Sequence, residues 1–309
     1  MDVVGKRGWY FLLSALVLIP GVISLAIPPS INPGIDFSSG SAFEVTFERE
    51  VHESEVRDGL GQVGHSNAKV QKLESDLVFI RTKQLMEGER EEIEAVLERT
   101  VHEIRSISKV ETVSPEVAVE TVRNSIIAVL AAAVGILIYI TWAFRNVPSA
   151  FRYGFSALLA LGHDVLIIVG IFSVLGKVID LEVNAMFIVG LLAVAGYSVN
   201  DTIVVFDRIR ENVARNIDRP LYESVNLSIM ESMGRSLGTS LTTFIAILAL
   251  ILIGGSTLRE FLLVLIIGVI SGTYSSIFIA SQFLVMWERG EIRRSLRIFR
   301  LRRPRVRSS

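Results

Sequence analysis

The chain has 309 residues, no cysteine, 50 % hydrophobic residues and a formal net charge of -1. The missing cysteine excludes a disulfide scaffold, a thiolate metal site and a cysteine nucleophile. The near-neutral charge conceals a segregation: several stretches of about 20 residues carry almost none, enough to cross a bilayer, which excludes an ordinary soluble enzyme and a disordered chain.

The first apolar run is Trp9–Ile27, preceded by Lys6 and Arg7. A secretory leader has a similar start. This run is long, and it ends in Pro28-Pro29-Ser30 without a small-residue cleavage site, so residues 1–28 read as a tail and a retained transmembrane helix. Residues 29–121 are polar, with acidic residues outnumbering basic ones by nearly two to one. Ala42–Phe47 alternates as a strand does, and Glu53–Leu60 reads as a helix. Ala68–Glu74 and Leu77–Thr82 read as strands joined by a turn at Ser75-Asp76. Glu87–Val101 has Ile93, Val96 and Leu97 at helical spacing, and Ile107–Val113 reads as a last strand. The order β-α-β-β-α-β predicts a small α+β domain of the ferredoxin-like kind.

Five further apolar runs follow within 122–288: Ser125–Phe144, Phe155–Leu175, Val183–Phe206, Leu237–Ile253 and Phe261–Trp287. The expectation is a polytopic α-helical membrane protein with six spans and a domain inserted between the first two. Lys and Arg orient it. The starting tail, the Arg145–Arg152 loop, a 207–236 loop and a basic 289–309 tail hold about 18 of them, against Lys177 and Arg259 on the other side. Both termini are thus expected in the cytoplasm and the 29–121 domain outside it. The nine arginines of the tail suit anionic lipid. No aromatic stacking pattern accompanies them, so no specific nucleic acid is implied. Gly268, Gly272, Ser276 and Ala280 place a small residue at every fourth position of the last span. That stripe suits close helix packing, within the chain or against a partner.

A charge near the bilayer centre costs at least about 2.5–3.5 kcal/mol, so each needs a reason. His163 and Asp164 interrupt the third span, Asn200 and Asp201 the fourth, and Arg235 starts the fifth. Asp164 and Asp201 fall about 10–12 Å from the same membrane face. Burial raises a carboxyl pKa and a nearby arginine lowers it. Asp201 is therefore a candidate proton carrier that Arg235 could switch, or else a fixed partner of Arg235. Asp164 is a second candidate, or a helix–helix hydrogen-bond site. His163 points about 100° away from Asp164 on a helix, which separates the two. Asp207 and Arg208 read as an interfacial anchor and a loop contact. Gly34–Ser41, with Asp36 and Gly40, has turn chemistry. Two aspartates on neighbouring spans also suggest an intramembrane aspartyl protease, but the Gly-x-Gly-Asp pattern of that class is missing. No phosphate loop and no metal-ligand spacing occurs, so no cofactor is expected.

The run GYSVNDTIVVFDRIREN, Gly196 to Asn212 with Tyr197, resembles the hallmark of the SecF family, the smaller membrane subunits of SecD–SecF protein-export complexes. GIDFSSGS resembles that family's Gly-Ile-Asp-Phe-Thr-Gly-Gly-Thr segment, with serines at 38, 39 and 41. HDVLI at 163–167 and SLTTF at 240–244, with Arg235 ahead, are similar to family segments too. The resemblance implies an RND-type six-helix half-bundle that pairs with SecD. It implies an auxiliary, non-enzymatic role in which the proton motive force promotes late preprotein export through SecY–SecE–SecG. It leaves YajC and YidC open as further partners. By matching positions, Asp201 is similar to the proton-coupling aspartate and Arg235 to its arginine. The rival expectation is an independent proton-coupled small-molecule transporter.

Overall fold

The computed structural model describes residues 2–216, 218–253 and 258–290. The tail expected over 289–309 lies outside the described residues except for Arg289 and Gly290. The chain divides into two compact units. One takes in residues up to Asn32, 128–182 and 186 onward; the other takes in 33–127 with 183–185.

The smaller unit opens with a single helical turn, α2 (Ile35–Ser38), followed by β1 (Gly40–Phe47), α3 (Glu53–Gln62), β2 (Lys69–Lys72), β3 (Leu77–Thr82), α4 (Glu89–Thr100) and β4 (Ile104–Val113). These follow α1 (Arg7–Ala26) of the other unit. The four strands form one antiparallel sheet in the order β2-β3-β1-β4. β1 sits centrally and is buried over nearly its whole length. β3 alternates, turning Val78 and Ile80 inward. One face of the sheet meets Val56 and Leu60 of α3 and Ile93 and Leu97 of α4, giving a core with Phe43, Val45 and Phe47. The expected strand at Ala68–Glu74 is shorter, and the last strand begins three residues early. Edge strands are least defined by alternation, because one side lacks a ladder partner.

The larger unit is helical. Among the described residues six helices are long and apolar enough to cross a membrane: Val4–Ala26, Pro115–Ala143, Ala150–Val178, Ala185–Arg215, Leu221–Ile253 and Arg259–Glu288. They contain α1 (Arg7–Ala26), α5 (Pro115–Ala143), α6 (Ala150–Val178), α7 (Ala185–Arg215), α8 (Leu221–Ile253), α9 (Arg259–Ser275) and α10 (Ser281–Glu288), with a π-helical turn at Ser276–Ala280 between the last two. The second helix begins in the smaller unit. The expected 207–236 loop needs correction. α7 continues to Arg215 and α8 begins at Leu221, so most of that segment is helix. The ion pairs Arg210–Asp207 and Arg215–Glu211, three and four residues apart, support a polar helix that an apolar-run search misses.

Small residues set the packing. A Cβ on Gly21 of α1 would lie 2.8 Å from the Gly170 Cα of α6, so both positions must be glycine for these backbones to touch. One turn on, the Ser24 and Ser173 hydroxyls bond at 2.8 Å. Lys177 of α6 donates to the Ile27 carbonyl at 2.8 Å and to that of Ser24, satisfying acceptors at the C-terminus of α1. The small-residue stripe of the last span packs within the chain. A Cβ on Gly268 would meet Val194, and one on Gly272 would meet Ser198, both of α7.

Candidate functional site: polar groups inside the helix bundle

Helix α7 carries the Gly196–Asn212 motif, and its faces divide the motif's residues. Ser198, Asp201, Thr202 and Val205 are buried. Gly196, Asn200 and Asp207 are exposed. A Cβ on Gly196 would meet nothing within 4 Å. Tyr197 lies between the two faces and donates to Ser240 Oγ of α8 at 2.9 Å.

Asp201 is 8 % exposed. Its carboxylate faces Ser236 of α8. The two come close enough to interact, yet neither Asp201 Oδ2 nor Ser236 Oγ makes a hydrogen bond of normal distance and angle among the described residues. Arg235 does not reach it. The side chain is exposed and has no ion pair among the described residues. The reason is helical phase: Ser236 takes the position facing α7, and its neighbour Arg235 lies about 100° around the helix.

Asp164 is the opposite case. It is fully buried, with an exposure of 0 %. Ser271 donates to Oδ1 at 2.6 Å, and Ser198 and Ser275 each donate to Oδ2 at 2.7 Å. Three helices (α6, α7 and α9) are thus tied to one carboxylate. His163 Nδ1 lies 3.1 Å from Asp164 Oδ1, and His163 Nε2 lies 3.1 Å from Ser14 Oγ of α1. This corrects the expectation that helical phase separates the two side chains, because the imidazole folds back across the backbone. The ring also stacks on Tyr274, whose hydroxyl donates to the Tyr10 carbonyl at 2.6 Å. The π-helical turn begins directly after Ser275, and Ser276 Oγ bonds Thr202 Oγ1 at 2.8 Å. Turns of this kind recur at functional sites within helices.

A second polar cluster joins α7 to α8. Arg208 Nε donates to Glu231 Oε2 at 2.7 Å, and Arg208 also pairs with Glu211. Asn212, buried, donates to Glu231 Oε2 at 2.7 Å and to Ser228 Oγ at 2.9 Å. In the smaller unit, Asp36 Oδ2 accepts from the Ala185 N–H at 2.7 Å, and the Gly34 N–H donates to the Val183 carbonyl at 2.7 Å. Gly40 has φ +125°, and a Cβ there would lie 2.4 Å from the Thr82 carbonyl oxygen, so glycine is required. Ser39 before it has φ 61° and ψ 171°.

Sequence reading thus located Asp201, Asp164, Arg208 and the turn at Asp36 and Gly40. It placed Ser198 and Asn212 within the Gly196–Asn212 run but gave neither a role. It missed Ser271 and Ser275, because a lone serine in an apolar run gives no signal unless the facing carboxylate is known, and Ser228 and Glu231, which fell in the expected loop. Among the described residues no group of three or more histidines, aspartates and glutamates could hold a metal ion.

Comparison with known proteins bears on this arrangement. Residues 92–290 match the family model for the protein export membrane protein SecD/SecF, C-terminal. The protein translocase subunit SecF of Thermobaculum terrenum is 40 % identical, over 98 % of this chain and 98 % of that protein. That of Anaerolinea thermophila is 38 % identical, over 95 % and 96 %. Among solved structures, SecDF from Thermus thermophilus, a translocon-associated membrane protein, is similar with a TM-score of 0.82 and 33 % identity. The match covers 94 % of this chain and 39 % of that longer one. With full-length relatives on both measures, the chain belongs to the SecD/SecF family of protein-export membrane proteins, on the SecF side, with an auxiliary role in Sec protein translocation.

Proposed function

We propose that the chain works with a SecD subunit to convert proton entry into a late step of preprotein export, with Asp201 as the carboxylate that loads and releases the proton. The carrying observation is that Asp201 is buried in the apolar part of the chain with one oxygen unpartnered, while the comparable Asp164 has every oxygen bonded. A proton crossing the membrane releases about 2.3 kcal/mol per 100 mV. A carboxyl group whose hydrogen bonds are incomplete in one state is suited to couple that energy to helix movement. Asp164 then holds α6, α7 and α9 together, and Asn200 and Arg235 act from the exposed face.

Gly196, Asn200 and Arg235 all lie exposed in this chain. An arginine with no ion pair among the described residues would be costly against lipid, and SecD is the natural cover, completing an RND-type bundle of which this chain is one half. In this reading the β-α-β-β-α-β unit is a ferredoxin-like domain outside the cytoplasm, between the first two spans, where it meets the emerging preprotein. Its sheet order and antiparallel pairing support that assignment. Both termini lie in the cytoplasm of a cell with a SecY–SecE–SecG channel, and the basic tail meets anionic lipid. YajC and YidC are further candidate partners. The role is mechanical rather than enzymatic, in keeping with the auxiliary place of this family in Sec translocation.

The test is pulse-labelled export in cells depleted of their own SecD and SecF, supplied with this chain and its cognate SecD. The parent should restore export and Asp201→Asn should not. Full restoration by Asp201→Asn would remove Asp201 from the coupling step.

A further inference from the structure

Helix α8 carries serines at 224, 228, 232, 236 and 240, one at every fourth residue. They form a stripe that winds about 40° around the helix per step, with about 6 Å between neighbours. The first four are 0, 0, 5 and 1 % exposed. Three contacts fix what this ladder faces: Asn212 to Ser228, Arg208 to Glu231, and Tyr197 to Ser240. The two helices run antiparallel, so each step along α7 is matched by a step back along α8. Asp201, between Tyr197 and Arg208, therefore falls opposite Ser236, between Glu231 and Ser240, and the two do face each other.

The ladder alone would be helix packing. The second observation is the unpartnered Asp201 Oδ2 aimed at it, together with the unpartnered Ser236 Oγ. A buried carboxylate oxygen and a buried hydroxyl left so are costly unless water completes them. Farther along, Ser232 and Ser228 donate back to the carbonyls of Ser228 and Ser224 at 2.8 and 2.6 Å. Each hydroxyl oxygen keeps acceptor capacity. A step of about 6 Å is two hydrogen-bond lengths, so one water spans successive hydroxyls. At the far end Asn212 Nδ2 touches both Ser228 Oγ and Glu231 Oε2, and the Glu231 side chain is 33 % exposed.

We propose that Ser236, Ser232 and Ser228 of α8, ending at Asn212 and Glu231, form the route by which a proton leaving Asp201 reaches the surface near the α7–α8 connection. This rests on the role of Asp201 proposed above. Asp201 gives its proton to a bridging water and becomes a carboxylate. Each hydroxyl accepts a proton on oxygen and releases its own to the next water, so every link is restored. The last transfer goes past Glu231 to solvent, with no change in electron count. Arg208, Glu211 and Arg215 lie at that end too, paired with one another and with Glu231, as do the Arg210–Asp207 pair and, at the α7–α8 connection, Asp218, Arg219 and Glu223. The carboxylate of Asp164 offers no competing branch, because serines and His163 fill it.

Alanine would leave room for water, so the test uses threonine and valine, which have nearly the same shape and differ in the hydroxyl. The full chain is assembled with SecD in vesicles of phosphatidylethanolamine and phosphatidylglycerol enclosing a pH-sensitive dye, and an imposed potential drives protons. Ser232→Thr should conduct within about twofold of the parent, and Ser232→Val should lose at least about tenfold, the scale of one lost hydrogen-bonding step. Conduction by Ser232→Val at the parent rate would overturn the route, and so would equal loss in both variants, which marks packing. Asp201→Asn in the same vesicles separates the two ideas. If it blocks conduction while Ser232→Val does not, only the route fails. If it conducts like the parent, the role of Asp201 fails and the route with it. Should either Ser232 variant fail to assemble, Ser236→Thr and Ser236→Val replace the pair: loss in valine alone supports the route, and equal conduction or equal loss overturns it.

Discussion

Asp164 and Asp201 are both carboxylates in apolar helices, and the chain surrounds them differently. Asp164 accepts three serine hydroxyls and meets His163. Asp201 Oδ2 makes no hydrogen bond of normal distance and angle among the described residues. Removing an acceptor from several buried donors costs about 1–3 kcal/mol. Asp164→Leu should therefore lower the thermal stability of the full chain in detergent by that amount, while Asp201→Asn, which keeps the shape and orphans no donor, should change it by less than about 0.5 kcal/mol. Equal losses would mean that Asp201 is also a structural tie. Sequence alone could rank both positions by insertion cost, but not separate them, because the separation depends on serines from other helices. A third buried polar residue lies in the smaller unit. His65 Nδ1 is 2.6 Å from Thr82 Oγ1, and burial, with Lys83 nearby, pushes its pKa below the ordinary histidine value. The unfolded chain then takes up a proton that the folded one refuses. Stability is full above the unfolded pKa, about 6.5, and falls as pH drops from there through the folded value. Urea unfolding of residues 33–114 should show a loss between pH 7.5 and 5.5, conditions chosen to bracket that pKa, and His65→Gln should flatten it.

At the scale of elements, apolar runs and alternation made the six spans and the β-α-β-β-α-β order legible. Their ends were not. α8 begins at Leu221, well ahead of its apolar run, because Ser224, Ser228 and Ser232 face inward along a polar first half. Apolar counting cannot see a buried face built of hydroxyls. The corner between α2 and β1 shows another limit. GIDFSSGS places serine where the resembling segment has the first of its two adjacent glycines, which reads as an ordinary turn residue. Yet Ser39 holds φ 61° and ψ 171°, a region that suits glycine. Such backbone strain costs about 1–3 kcal/mol, and glycine's extra unfolded-state freedom offsets about 0.5–1. Ser39→Gly should stabilise the smaller unit by about 1 kcal/mol net in urea unfolding. A loss would show that the side chain, not the backbone angle, matters there.

For the whole molecule, the proposed orientation with both termini in the cytoplasm rests on the charge pattern. The segments assigned to the cytoplasm hold about 18 Lys and Arg, against two on the other side. Several of those arginines are also built into the fold, as Arg208 with Glu231 and Arg152 with Glu288 show. Such ion pairs belong in water or headgroups, not in hydrocarbon. Lys177, by contrast, donates to the last carbonyls of α1, so one of the two opposing cations is held by backbone rather than left free to bias topology. The chain's lack of cysteine makes the orientation directly measurable. Met86 is 77 % exposed in the smaller unit, and Arg215 is exposed at the end of α7. A membrane-impermeant maleimide added to intact spheroplasts should label Met86→Cys at once, and Arg215→Cys only after lysis. The reverse pattern would place the smaller unit in the cytoplasm, away from an emerging preprotein, and would turn the proposed serine route outward. Labelling of both before lysis would break the assignment of spans, since the three spans between them, α5, α6 and α7, put the two sites on opposite sides.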